Sequence, residues 1–325
     1  MNTEKRDCYR LGNYEFEIRH GGEILFPPFL ERFRIEQAEG REKPETMADI
    51  FELQLTDHLP QPKGIPVAHR ADLDVYAISD SLAQSGAVRE ARLLRFVGAT
   101  DPYGYYEEME EHRYCVWLQR DYFAYSQIDT VFYSLFALER QLLGKNGLIL
   151  HCAMLRVGGE ALLFSGPSGI GKSTHAQLWC THATDAQVIN GDRALLQYGS
   201  DRLFAHGWCV SGSSEICINR SLPVRAIIFL RQEQKNDGVQ LHGLRAVKNL
   251  VSQITVNSWN PQAVERVWEL AERVAGDVPV FDYGCNMEPE AVDVLRQLLG
   301  MQNADISGTE PDGSGARLCV TGRNE

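Results

Sequence analysis

The chain has 325 residues, with a hydrophobic fraction of 44%, a charged fraction of 23% and a formal net charge of −12. That length allows one large domain or two ordinary ones, and the composition is that of a soluble globular protein. The acidic balance argues against nucleic acid as a partner, because nucleic-acid phosphates call for a basic surface. No apolar stretch approaches the length of a membrane span, and the start MNTEKRDCYR lacks a signal-peptide core. A cytoplasmic protein without membrane contact is therefore expected. Eight cysteines (Cys8, Cys115, Cys152, Cys180, Cys209, Cys217, Cys285 and Cys319) are scattered without C-x-x-C or Cys/His pairing. That points away from zinc or a disulfide framework and toward small buried hydrophobes.

Residues 1–128 alternate apolar and polar positions in short runs, at Tyr14–Ile18, Phe51–Leu55, Ala91–Val97 and Tyr114–Leu118. Gly21-Gly22, Pro27-Pro28, Leu59–Pro66 and Asp101–Gly104 separate them. This predicts a β-rich N-terminal domain with long loops. His20, His58, His69 and His112 stand alone and read as solvent or core residues. The acidic run Glu107-Glu108-Met109-Glu110-Glu111 reads as a solvated face. Over 129–147, Phe132, Leu135, Phe136, Leu142 and Leu143 recur at helical spacing, and Gly144 and Gly147 stop the pattern. One bridging helix is expected there.

From 148 to 301 a second domain is expected. Leu148–Leu155 and Ala161–Phe164 are apolar runs separated by Gly158-Gly159, which predicts a hairpin. Its second arm enters Gly166-Pro167-Ser168-Gly169-Ile170-Gly171-Lys172-Ser173, which fits the phosphate-binding pattern G-x-x-x-x-G-K-[ST]. Glycines there let consecutive amides turn inward as an anion nest, and the helix starting near Lys172 adds its positive end. Lys172 would neutralise the β- and γ-phosphates of ATP, and the Ser173 hydroxyl would ligate Mg²⁺.

Gln187–Asp192 then reads as a strand ending in an acid, Asp192, twenty positions after Lys172 (192 − 172). Many P-loop ATPases place the magnesium-associated acid much later; an acid on the next strand belongs to small kinases and carboxykinase-like arrangements. Leu203–Trp208, Ala226–Leu230, Gln240–His242 and Val278–Phe281 read as further strands. Pro261–Val274 and Pro289–Leu299 read as helices with apolar faces, and Pro261 favours a helix start. Residues 302–325 are polar and glycine-rich, the composition of a disordered tail.

His151 on the hairpin arm, the stretch Ser165–Thr174 and Val188-Ile189-Asn190-Gly191-Asp192 together resemble the catalytic domain of the HPr kinase/phosphorylase family. That family is related in fold to phosphoenolpyruvate carboxykinase. The resemblance runs from Leu148 to Leu299 and implies an α/β, mixed-sheet P-loop domain behind the smaller β-rich one. Where the family often has two adjacent acids this chain has Gly191-Asp192, so only Asp192 is carried over. The downstream signature of authentic HPr kinases is absent, and the N-terminal half differs from theirs. The nearer resemblance is to HPr-kinase-like bacterial proteins, some acting on serine in ribosomally made peptides and others on small serine-like molecules.

What the resemblance implies is an ATP- and Mg²⁺-dependent kinase acting on a hydroxyl of a peptide, protein or small metabolite. Asp192 would take the hydroxyl proton or help bind magnesium with Ser173, and His151 would face the phosphates or orient Asp192. Thr174 and the residues from Gly166 to Ser173 would hold the nucleotide. The rings formed by HPr kinases imply a homo-oligomer. Arg193, Glu215 and Arg220 are candidates for contacts around the acceptor, while His175 and Trp179 read as helix-surface and packing residues. Two other readings stay open: a small-molecule kinase of nucleoside or shikimate type, and a non-catalytic, nucleotide-gated binding protein.

Overall fold

The computed structural model describes residues 4–36, 49–78 and 88–301. The tail at 302–325 lies outside the described residues. The first eight strands are β1 (Glu4–Leu11), β2 (Tyr14–Gly21), β3 (Asp49–Thr56), β4 (Ile65–His69), β5 (Leu73–Ile78), β6 (Arg89–Arg95), β7 (Pro102–Glu110) and β8 (Arg113–Gln119). They form one sheet in the order β1-β2-β3-β8-β7-β6-β5-β4, antiparallel except at β2–β3 and β3–β8. Alternation sets the faces: Tyr14, Phe16 and Ile18 on β2 and Val116 and Leu118 on β8 turn into a common core. The sequence runs at Tyr14, Phe51, Ala91 and Tyr114 correspond to β2, β3, β6 and β8, while β1, β4, β5 and β7 are additional.

The structure departs from expectation at two places. Glu107 and Glu108 are not a solvated face; both are buried, Glu107 against Lys63 and Glu108 against Arg140. The segment at 129–147 is not one helix. A 3-10 turn (Arg120–Gln127) leads into α1 (Asp129–Leu135) and then α2 (Leu138–Gly144), broken by Ala137 at φ +48°. In a continuous helix Phe136 and Leu138 would project to nearly opposite sides. The break lets both enter the core with Phe132, Leu135 and Leu142.

The second sheet contains β9 (Leu148–Val157), β10 (Glu160–Ser165), β11 (Gln187–Asn190), β12 (Arg193–Tyr198), β13 (Leu203–His206), β14 (Ser221–Gln232), β15 (Asp237–Leu241) and β16 (Val280–Cys285). Its order is β10-β9-β12-β13-β14-β16-β15, with β11 on β9. β10 is both the antiparallel hairpin arm of β9 and a parallel neighbour of β14, so the sheet is mixed. Gly158 and Gly159, at φ +56° and +87°, make the tight turn of that hairpin.

The helices are α3 (Lys172–His182), α4 (Gly243–Gln253), α5 (Pro261–Asp277) and α6 (Glu290–Leu298). Strand periodicity sorts them onto two faces. Leu150, Cys152 and Met154 of β9 and Leu163 of β10 pack with Ala246 and Leu250 of α4 and Val267 and Ala271 of α5. Their alternates, Ala153, Leu155, Leu162 and Phe164, pack with Ala176 and Trp179 of α3 and Val292 and Leu295 of α6. At α5 the expected start is set by Pro261 and by the Asn260 side chain, which accepts from the Ala263 amide at 3.1 Å. Among the described residues no helix is long and apolar enough to cross a membrane.

Candidate functional site

The site is built around one point on β9. Along one edge β10 covers β9 only as far as the pair Ser165↔Cys152, where the chain leaves as the glycine-rich loop. Along the other edge β11 and β12 act as one interrupted strand: Asn190 pairs with Met154, and Arg193 with His151. Gly191 and Asp192 bulge between them, and the Cys152 amide donates to the Asp192 carbonyl at 3.0 Å. A bulge at a strand junction re-aims a side chain without ending the sheet. The loop and the Asp192 carboxylate thus leave β9 on opposite edges at one level, with His151 as the adjoining residue.

Asn190 holds the bulge. Its side-chain oxygen accepts from the Asp192 and Arg193 amides at 2.8 and 2.9 Å. Its amide nitrogen donates to the carbonyls of Trp208 and Val210 at 2.8 and 3.0 Å. Every donor and acceptor direction used is satisfied inside the protein, which explains its complete burial. In the sequence Asn190 stood out only as part of the Val188–Asp192 stretch, although an Asn just before a strand-end Gly-Asp is the pattern of a side chain bonding its own following amides.

In the loop, Gly166, Gly169 and Gly171 have φ +139°, +81° and +104°, which an L side chain adopts only with strain. A Cβ on Gly169 or Gly171 would meet nothing within 4 Å, so the loop opens outward. Lys172 is 7% exposed and folds back, its Nζ donating to the carbonyls of Gly166 and Pro167 at 2.9 and 3.1 Å. Burial lowers the Lys172 pKa from the ordinary lysine value, with the Asp192 carboxylate pulling the other way. The Ser173 hydroxyl donates to the Gly191 carbonyl at 3.4 Å, tying the first turn of α3 to the residue before Asp192.

Asp192 accepts from Arg193 Nε at 3.1 Å, and Arg193 also donates to the Thr255 hydroxyl at 3.0 Å. His151 Nε2 lies 3.8 Å from the other Asp192 oxygen, beyond hydrogen-bond reach. Burial and the neighbouring Lys172 lower the His151 pKa below 6.5, so its imidazole is neutral at pH 7. Ser173, Asp192, His151 and Arg193 thus lie together at the bulge, with Lys172 near enough for its charge to act on both His151 and Asp192. Thr174, like Ser173, is exposed in the first turn of α3. Glu215 lies in the loop after β13 that packs on this group: a methyl on Gly212 would sit 2.9 Å from Asp192 Cγ. Arg220 is exposed.

His175 is not a helix-surface residue; it is 1% exposed, accepts from Trp179 Nε1 at 3.3 Å and packs on Phe164. Trp179 is fully buried. Among the described residues no group of three or more His, Cys, Asp or Glu side chains is placed to hold a metal ion. A concavity of about 280 Å³ beside Glu160 and Arg225 lies at the opposite end of β10 and touches none of the site residues.

The model of one protein family matches residues 123–288, just over half of the chain; its description is SynChlorMet cassette protein ScmC. The chain belongs to the ScmC family. The ScmC match begins just before α1 and ends after β16, so it contains β9, the glycine-rich loop and the Asp192 bulge. No curated protein matches the sequence. Among solved structures, an Hpr(Ser) kinase/phosphatase from Coxiella burnetii matches with 12% identity and a TM-score of 0.31, over 46% of this chain and 95% of that one. At that score the likeness transfers neither a fold nor a site to this ScmC-family chain.

Proposed function

We propose that the chain is a kinase that transfers the γ-phosphoryl group of ATP, with Mg²⁺, to a hydroxyl of a peptide, protein or small metabolite. The observation that carries this reading is the meeting of the loop and the Asp192 bulge on either edge of β9 at Cys152. The residues suit the nucleotide: the loop glycines open outward, Lys172 stands at its base, and α3 begins there. They also suit magnesium, a hard cation that takes oxygen ligands, through the Ser173 hydroxyl and the Asp192 carboxylate. Bound magnesium would neutralise charge on the phosphate oxygens.

Lys172 leaves the Gly166 and Pro167 carbonyls and pairs with phosphate instead, a gain for an ammonium that burial now disfavours. The acceptor oxygen forms a bond to the γ-phosphorus as the bond to the bridging oxygen breaks, and the electron pair leaves with ADP. Asp192 receives the hydroxyl proton. Neutral His151 donates a hydrogen bond to the phosphates or steadies the Asp192 carboxylate, and Arg193 fixes that carboxylate from the other side. β10 is a parallel neighbour of β14 as well as a hairpin arm of β9, and it is the hairpin that favours this arrangement over a nucleoside- or shikimate-type kinase.

The test is mass spectrometry of a lysate incubated with labelled ATP and the purified chain. Label is expected on a hydroxyl of an acceptor, lost in Lys172→Ala and reduced about 10²- to 10⁴-fold in Asp192→Asn. Label appearing only as free phosphate, or transfer unchanged in Asp192→Asn, contradicts it.

A further inference from the structure

We propose that the groove beside Gly212 seats the acceptor, and that the acceptor is a basic peptide, its hydroxyl residue flanked by lysine or arginine. This rests on the kinase reading for its chemistry, while the groove itself is argued from its walls. It has a volume of about 250 Å³ and is lined by three segments far apart in sequence: Pro27–Phe29 just before a short 3-10 turn at Leu30–Phe33, Gln127–Asp129 at the start of α1, and Ser211, Gly212 and Glu215 after β13. Gly212 is the shared wall. A methyl group there would lie 2.9 Å from Asp192 Cγ, so one thickness of main chain separates the groove from the carboxylate proposed to take the proton.

The lining dictates the occupant. Pro28, Phe29 and Ile128 supply an apolar strip, with Ile128 42% exposed. Two carboxylates stand over it. Asp129 accepts from the amides of Thr130 and Ser211 at 2.7 and 3.2 Å, which orient it without cancelling its charge. Glu215 is exposed, and among the described residues it has neither a hydrogen bond nor a cation. The neighbouring cation, Arg32, lies over the Phe29 ring at 5.0 Å and is engaged with the Cys217 carbonyl. A groove with apolar floor and unpaired negative rim selects an aliphatic stem ending in a cation, as in lysine or arginine. Enclosed sites for small molecules occupy roughly 300–1,000 Å³. This one is smaller and open to solvent, so it receives one or two side chains of a longer chain. The net charge of −12 draws the same partner from a distance.

The experiment is fluorescence anisotropy of two fluorescein-labelled peptides with the full chain, at low and high salt. One peptide has a central serine between lysines; the other has glutamines in their place. The lysine peptide binds more tightly, and salt weakens it. Glu215→Gln weakens it about 5-fold, and Glu215→Lys reverses the preference between it and a glutamate counterpart. Equal binding of the lysine and glutamine peptides, or no effect of either substitution, overturns the proposal. Calorimetry with a non-hydrolysable ATP analogue and Mg²⁺ separates the two readings. Charge-selective peptide binding without nucleotide binding sinks the kinase and keeps the groove; nucleotide binding without charge selection does the reverse.

Discussion

His175 lies behind the glycine-rich loop with its ring tautomer set by its neighbours. Trp179 Nε1 donates to Nε2, so the proton is on Nδ1, which faces the Cys285 sulfur at 3.8 Å. Burial lowers its pKa from 6.5 to about 4. The unfolded chain therefore takes up this proton first as the pH falls, and stability unaffected above pH 6.5 is lost between 6.5 and 4. By pH 5 the loss is about 2 kcal/mol from this residue. In His175→Gln, which keeps an acceptor for Trp179, urea unfolding at pH 7 and pH 5 should differ by about 2 kcal/mol less than in the wild type. An equal loss in both proteins would remove His175 from the acid response. At this scale the sequence is readable where a motif states a spacing, as in Gly166–Ser173. It is silent where a role depends on partners far away, as for Asn190, whose acceptors come from Trp208 and Val210.

Among the elements, the hairpin β9–β10, strand β11 and helices α3, α5 and α6 were legible because apolar runs, Gly-Gly and Pro261 mark them locally. Helix α4 carries a repeat at Ala246, Val247 and Leu250, but no cap or proline announces it. The break between α1 and α2 follows from a core that wants both Phe136 and Leu138. The acidic run misled for a similar reason: its partners lie on other elements. Glu90 on β6 and Glu108 on β7 meet Arg140 of α2 at 2.8 and 2.6 Å. Glu90 also meets Arg92, whose guanidinium reaches Glu139 at 2.5 Å. The Trp259 indole donates to Glu90 at 3.3 Å, fastening the chain between α4 and α5 to the first sheet. Burial disfavours the Glu90 charge, but Arg92 and Arg140 outweigh it and lower its pKa. That stability is present above the ordinary glutamate value of 4.5 and is lost as the pH falls through the lowered one. Replacing Arg92 with methionine strands Glu139 and half of Glu90 in the interior, and should cost about 3–5 kcal/mol in urea unfolding. A loss below about 1 kcal/mol would show the network to be solvated.

Across the whole molecule, one core cluster joins the two sheets. Tyr9, Phe16 and Phe51 of the first sheet share it with Ile149 and Leu195 of the second and with Trp208, Cys209, Val210 and Cys217. Trp208 and Val210 are the residues whose carbonyls hold Asn190, so the N-terminal half packs against the support of the Asp192 bulge. Composition and periodicity made both β-rich and α/β parts readable, but not this shared packing, which links residues some 200 positions apart. The same packing brings Pro28 and Ile128 to Gly212 and makes the groove. By the proposed mechanism, the loop and the bulge on either edge of β9 serve one phosphate. A crystal structure of the full chain grown with Mg²⁺ and a non-hydrolysable ATP analogue tests it most directly. The expected result is Lys172 Nζ released from Gly166 and Pro167 onto the γ-phosphate, with an Asp192 oxygen within about 4 Å of a γ-phosphate oxygen or its metal. A nucleotide bound with Lys172 still on those carbonyls, or with its γ-phosphate pointing away from Asp192, would contradict it.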